Sequence, residues 1–119
     1  MRMRAIPKQL LKQDMLVKPL LPDGTFGESR LVRHVLLQLA GSVVYDEHRS
    51  GDVGAGKVFV DATNSEGAFD VPPGSRIVVT APPDLVELGA PQALSYVAKK
   101  VQKFRVLRGV VHHWEIEVE

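Results

Sequence analysis

The sequence contains no cysteine, which excludes disulfide staples, thiolate metal sites and a cysteine nucleophile together. Aromatic residues are scarce, with four Phe, two Tyr and one Trp in 119 residues. That is too few to fill a core and also build a surface on which successive bases stack. The net charge is only +1, so the total gives no drive toward nucleic acid. No apolar stretch approaches the roughly 20 residues that cross a bilayer. The start, Met1 to Asp14, holds lysines and arginines without a signal-type apolar block, and a soluble chain with no membrane partner is expected. What is present is ordinary globular usage, 45% hydrophobic and 24% charged, in a length that suits one domain over residues 1–119. A domain this small buries a limited share of its surface, which favours support from neighbouring subunits.

Charge is segmented along the chain. Arg2, Arg4, Lys8, Lys12 and Lys18 make the start basic, Lys99, Lys100, Lys103, Arg105 and Arg108 form a second basic block, and Glu115, Glu117 and Glu119 close with acid. Solvated faces on separate elements explain this pattern. So does a contact in which opposite patches meet between subunits, because charge placement steers association. The residues for such an interface are Arg2, Arg4 and Lys8 with His113, Glu115 and Glu117.

Proline and glycine punctuate the chain. Pro22, Asp23, Gly24 and Gly27 lie between the apolar runs Met15 to Leu21 and Leu31 to Leu39, which predicts a hairpin with a loop longer than two residues. Leu31, Val35 and Leu39 also fit helical spacing, with Gly41 placed as a C-cap. From Ala40 to Gly56 four glycines surround Asp46, Glu47, His48, Arg49 and Asp52 with no sustained apolar period, which predicts a long flexible loop. Lys57 to Asp61 and Arg76 to Thr80 are β-branched runs bounded by turn residues and predict strands. Pro82 and Pro83 then stop the ladder.

Between Ala90 and Phe104 the residues leave two structures open. Leu94, Val97, Val101 and Phe104 follow helical spacing behind Pro91, whereas Val97, Lys99 and Val101 recur at period two, with a bulge toward Phe104 and Val106. The terminal segment is clearer. Val110, His112, Trp114, Ile116 and Val118 fall on one face of a strand, and Val111, His113, Glu115, Glu117 and Glu119 on the other. The expected core contains Val58, Val60, Ile77, Val79, Trp114, Ile116 and Val118, and Phe59 and Phe104 are assigned to it as well. The fold class is all-β, a small barrel or sandwich of about six short strands, with one long loop and room for one short helix.

No motif for catalysis or metal binding assembles. His112 and His113 are neighbours and point to opposite faces of a strand, and neither His34 nor His48 has zinc-type spacing to them. His112 is expected beside Trp114, and His113 among carboxylates on the outer face. The string DATNSEG lacks the alternating ligands and closing Glu of a calcium loop, and Asx-type turn chemistry accounts better for Asp61, Asn64 and Ser65. In SGDVGAGK, Lys57 is followed by Val58, Phe59 and Val60, a strand and not the helix of a phosphate-binding loop. No GxSxG motif is present. Neither an enzyme nor a cofactor is expected.

Three stretches together resemble one family. They are IPKQLL at Ile6 to Leu11, VFVDATNSEG from Val58 to Gly67 followed by VPPGSRIVV, and above all VHHWEIEVE at Val111 to Glu119. They are similar to the minor capsid proteins encoded just after the major capsid gene in many tailed phages of Gram-positive bacteria. The Pro-rich segment Ala81 to Ala93 departs from that pattern, where a shorter turn is usual. The resemblance implies a strand over Leu94 to Lys103. It also implies a virion protein of the head-to-tail connector, a head-completion or stopper ring beneath the portal that closes the DNA-filled head and docks the tail. Implied partners are portal or adaptor ring proteins, tail proteins, further copies of the chain in a dodecameric or hexameric ring, and double-stranded DNA in passage. The Ala40 to Gly56 loop is then the candidate lumen loop, with Asp46, Glu47, His48, Arg49, Asp52 and Lys57 as its channel residues. Two rivals stand beside this. One is an adaptor that contacts the portal directly; the other is a small nucleic-acid-binding β-barrel, whose signature is exposed aromatics interleaved with basic residues on one sheet face.

Overall fold

The computed structural model describes residues 5–39, 56–81, 83–89 and 91–119. Six antiparallel strands close into a barrel in the order β1-β2-β3-β6-β5-β4. They are β1 (Gln13–Lys18), β2 (Arg30–Leu39), β3 (Gly56–Asp61), β4 (Arg76–Thr80), β5 (Ala93–Arg105) and β6 (Val111–Val118). One helical turn, α1 (Pro83–Glu87), and two 3-10 turns, Lys8–Leu10 and Leu107–Gly109, complete the described residues. Full closure pairs each strand on both sides, which removes the open edges that invite aggregation.

The inward side chains form one core. Met15 and Val17 meet Val32, Val35 and Leu37, then Val58 and Val60, Ile116 and Val118, Ala98 and Tyr96, and Ile77 and Val79, with Trp114, Leu94 and Val71 completing it. All seven residues assigned to the core by alternation, Val58, Val60, Ile77, Val79, Trp114, Ile116 and Val118, are buried. Phe59 and Phe104 are not. Phe59 lies one residue out of phase with Val58 and Val60 and is half-buried on the outer wall, and Phe104 is exposed beyond a register irregularity of β5. Val110 is also displaced from its expected face. It stands in the turn before β6 and is 61% exposed.

The β1–β2 hairpin turns at Leu21 to Thr25. The Gly24 amide donates to the Leu21 carbonyl and the Leu21 amide to the Thr25 carbonyl, while the Asp23 carboxylate accepts from the Thr25 amide and hydroxyl. In β2 both Val32 and Val35 point inward although three positions separate them. An extra residue explains it: the register with β1 shifts between Gln13 and Met15, and His34 adopts φ 61°. Leu31 faces out and Val35 in, so the helix-like spacing of Leu31, Val35 and Leu39 marks no single face. The bulge's loose polar groups are tied down from β1 and from the turn after β3. The His34 amide donates to Asp14, the Ser65 hydroxyl donates to the His34 carbonyl, and Arg33 and Glu66 exchange two backbone bonds.

The DATNSEG stretch is the turn that makes those contacts. Buried Asp61 accepts from the amides of Ile6, Thr63 and Asn64, and the Asn64 side chain donates to the Ile6 carbonyl, which fastens the leading segment to the barrel. Gly67 closes the turn at φ 79°, where a Cβ would stand 2.5 Å from the Leu31 carbonyl oxygen. Only glycine fits both demands.

Residues 93–105 form a strand, as the family resemblance implies. Its inward phase is Leu94, Tyr96 and Ala98, a bulge between Ala98 and Lys100 then brings Val101 against the core, and Val97 faces out at 42% exposure. Of the helically spaced residues Leu94, Val97, Val101 and Phe104, only Leu94 and Val101 face the core, and the residue inserted after Ala98 puts them in phase.

Candidate interaction surfaces

The closed wall built by β3, β6 and β5 carries a cluster centred on His113. Its Nε2 lies 3.0 Å from Glu115 Oε2, and Lys57 Nζ lies 3.3 Å from Glu115 Oε1. Glu115 only accepts when ionised, so the geometry places the His113 proton on Nε2. His113 Nδ1 and His112 Nδ1, 2.7 Å apart, share a second hydrogen bond. This corrects the expectation that the two imidazoles diverge. His112 sits at the start of β6, where β5 slips register between Phe104 and Arg105 and strict alternation relaxes. Phe104 stacks on the His113 ring at 4.6 Å and Phe59 at 6.4 Å. The hydrogen bond from His113, and then Lys57, holds the Glu115 carboxyl below its ordinary value against the opposing effect of burial.

The residues expected to form an interface thus divide. Glu117 is exposed between its cross-strand neighbours Lys57 and Lys100. Glu115 and His113 are largely covered and engaged within the chain, so they are not the free outward charges expected. Lys57 is a strand residue paired with Glu115, not part of a loop. Lys8 is exposed on the turn after Ile6. Arg2 and Arg4, and the loop residues Asp46, Glu47, His48, Arg49 and Asp52, lie outside the described residues. Among the described residues no group of three or more His, Asp or Glu is placed to hold a metal ion, and no helix is long and apolar enough to cross a membrane.

A second surface escaped the sequence reading. On the outer wall of β2, β1 and β4, Leu31, Leu16 and Val78 stand in register as cross-strand neighbours; on β5 Ser95 continues that register, and Val97, opposite Arg76, stands diagonal to Val78. The exposures of Leu31, Leu16, Val78 and Val97 are 52, 46, 39 and 42%. A shallow groove runs along this face, rimmed by Lys18, Arg76 and Glu119. Lys18 and Arg76 are directly opposite each other, a like-charge pairing that is unfavourable on an isolated sheet. The signal was present in the sequence. Met15-Leu16-Val17 and Ile77-Val78-Val79 are continuous apolar runs, the pattern of strands covered on both faces.

Two further apolar points are bare. Leu88, just after α1, is 60% exposed, and Leu107 in the β5–β6 turn is 85% exposed. In that turn Arg108 has φ 73° and ψ 14°, a conformation that glycine usually supplies, and Arg105 donates to the Gly109 carbonyl. Comparisons with protein-family models, with curated proteins and with solved structures found no match to this chain.

Proposed function

We propose that the chain is a structural component of the head-to-tail connector of a tailed bacteriophage or prophage, forming a ring beneath the portal that closes the filled head and receives the tail. The observation that carries this reading is the apolar row Leu31, Leu16 and Val78, with Val97 diagonal to it, on the outside of a closed barrel. A closed barrel has no strand edge with which to recruit a partner, so association must use side chains. Contiguous apolar side chains on an otherwise polar wall mark a protein contact. The resemblance of Ile6 to Leu11, Val58 to Gly67 and Val111 to Glu119 to phage minor capsid proteins supplies the assembly in which that contact is made. The action is mechanical: a ring repeats one modest interface around a closed rotation, and double-stranded DNA passes through it. Location in the virion, portal and tail partners, and the absence of bond chemistry all belong to this proposal.

The test is to disrupt the reading frame in the genome that carries it, induce particle formation and image the lysate. Filled heads and free tails that fail to join are expected, together with this chain in the protein profile of wild-type particles. Normal tailed particles from the disrupted genome overturn the reading.

The nucleic-acid-binding barrel gains one observation, that Phe59 and Phe104 lie on the outer wall beside Lys57 and Arg105 and not in the core. Against it, both rings already stack on His113, and Glu115 and Glu117 share that wall and repel phosphate.

A further inference from the structure

The two ends of β5 differ in charge. From residue 81 to residue 98 the sequence carries Asp84 and Glu87 and no basic residue, whereas from 99 to 114 it carries Lys99, Lys100, Lys103, Arg105 and Arg108 with two histidines and no acid. Folding sends these stretches in opposite directions. α1 and Leu88 lie before Ala93, at one end of β5, and the Leu107–Gly109 turn follows Arg105 at the other. At about 3.3 Å per residue, the strand path between them is about 40 Å, so the two patches stand at opposite ends of β5.

Each end also exposes an apolar side chain that the barrel does not cover, Leu88 at 60% on the acidic end and Leu107 at 85%, with Val110 at 61%, on the basic end. Glu87 is exposed beside Leu88. Arg108 is exposed beside Leu107 and is held in a left-handed conformation that disfavours any residue with a Cβ. A strained, charged residue at the tip of a turn, flanked by bare apolar groups, is a pattern found where a surface is used.

We propose that the β5–β6 turn of one copy, Leu107, Arg108 and Val110, docks on the α1 end, Glu87 and Leu88, of a second copy. The proposal rests on the ring reading above and deepens it by naming the contact. Apolar meets apolar and basic meets acidic, and because the two patches differ the contact is head-to-tail. Repetition of such a contact in one sense closes a ring or extends a filament, whereas reciprocal pairing of two antiparallel copies stops at a dimer, the outcome that a ladder of oligomers excludes. The bare charges at the rim set the rate and partner choice of association, and the apolar groups hold it.

The natural absence of cysteine allows a clean test on the full-length chain. The double variant Leu88→Cys with Leu107→Cys, oxidised mildly, should give a ladder of disulfide-linked oligomers on a non-reducing gel. A mixture of the two single variants should give only a hetero-dimer. Both positions are exposed, so the barrel is undisturbed, and an unchanged thermal transition checks that. In the double-cysteine background Arg108→Glu should lower cross-linking about tenfold, and adding Glu87→Lys should restore it, because the charges are then exchanged. A double-cysteine chain that stays monomeric, single variants that link to themselves as readily as to each other, or a charge exchange that fails to restore linking, would each overturn the contact. Failure here with the chain present in virions removes this contact and leaves the connector reading, whereas a ladder from a chain absent from particles does the reverse.

Discussion

The indole nitrogen of Trp114 donates to the Asp70 carboxylate at 2.9 Å, tying the terminal strand to the segment that leads into β4. Lys103 completes the arrangement, 3.0 Å from Asp70 and with its ammonium over the indole ring at 6.0 Å. Trp114 is therefore a core side chain with a polar handle, 8% exposed. Trp114→Ala should destabilise the chain by about 3–5 kcal/mol, and Trp114→Phe, which keeps most of the packing and loses the bond, by about 1 kcal/mol plus the lost volume. Urea unfolding followed by circular dichroism measures both. Equal losses for Ala and Phe would show that the hydrogen bond, and not packing, dominates.

Asp61 is fully buried and accepts from three backbone amides, two of its own turn and that of Ile6. Asp61→Ala leaves those donors without an acceptor and should cost about 3 kcal/mol or more, from about 1–3 kcal/mol per stranded group with partial access to water. It should also free the leading segment. Hydrogen exchange at the Ile6 amide reads that release, and protection unchanged from wild type would contradict the role assigned to Asp61.

The pH dependence follows from Glu115. Its folded value lies below the ordinary 4.5, through the bond from His113 and then Lys57. A carboxyl whose folded value is depressed binds fewer protons when native. Its stabilisation is thus present above the unfolded value and is lost as pH falls through the folded one. Stability should decline from about pH 4.5 downward, and Glu115→Gln should flatten that part of the profile. A decline as steep in the variant as in the wild type would assign the acid sensitivity to other carboxylates.

Arg108 separates stability from assembly. Arg108→Gly relieves a left-handed residue, worth about 1–2 kcal/mol, and pays back about 0.5–1 kcal/mol in chain entropy. The variant should be as stable as the wild type or up to about 1.5 kcal/mol more stable. Its self-association, measured by sedimentation, should nonetheless be weaker. Lower stability would mean that the arginine side chain braces the turn.

Alternation along β3, β4 and β6 was enough to place Val58, Val60, Ile77, Val79, Trp114, Ile116 and Val118 inside and to make the chain all-β, because side chains on a strand change face at each residue whatever the rest of the molecule does. Turn chemistry was local where Asp61 accepts from the Thr63 and Asn64 amides and Ser65 from the Asp61 amide, whereas the bonds that Asp61 and Asn64 make to Ile6, and Ser65 to His34, join segments distant in sequence. Tertiary structure alone decided the rest. The bulges at His34 and after Ala98 insert one residue each and reverse the faces that follow, and nothing local announces them, since their polar groups are satisfied by distant partners such as Asp14, Ser65 and Glu66. The insertion after Ala98 put Phe104 on the wall around His113, where it joins Phe59, turned outward by alternation with Val58 and Val60, and strand pairing brought Leu16, Leu31 and Val78 into one row. Which outward side chains become neighbours depends on strand order and register, and these are set by the closing of the whole barrel.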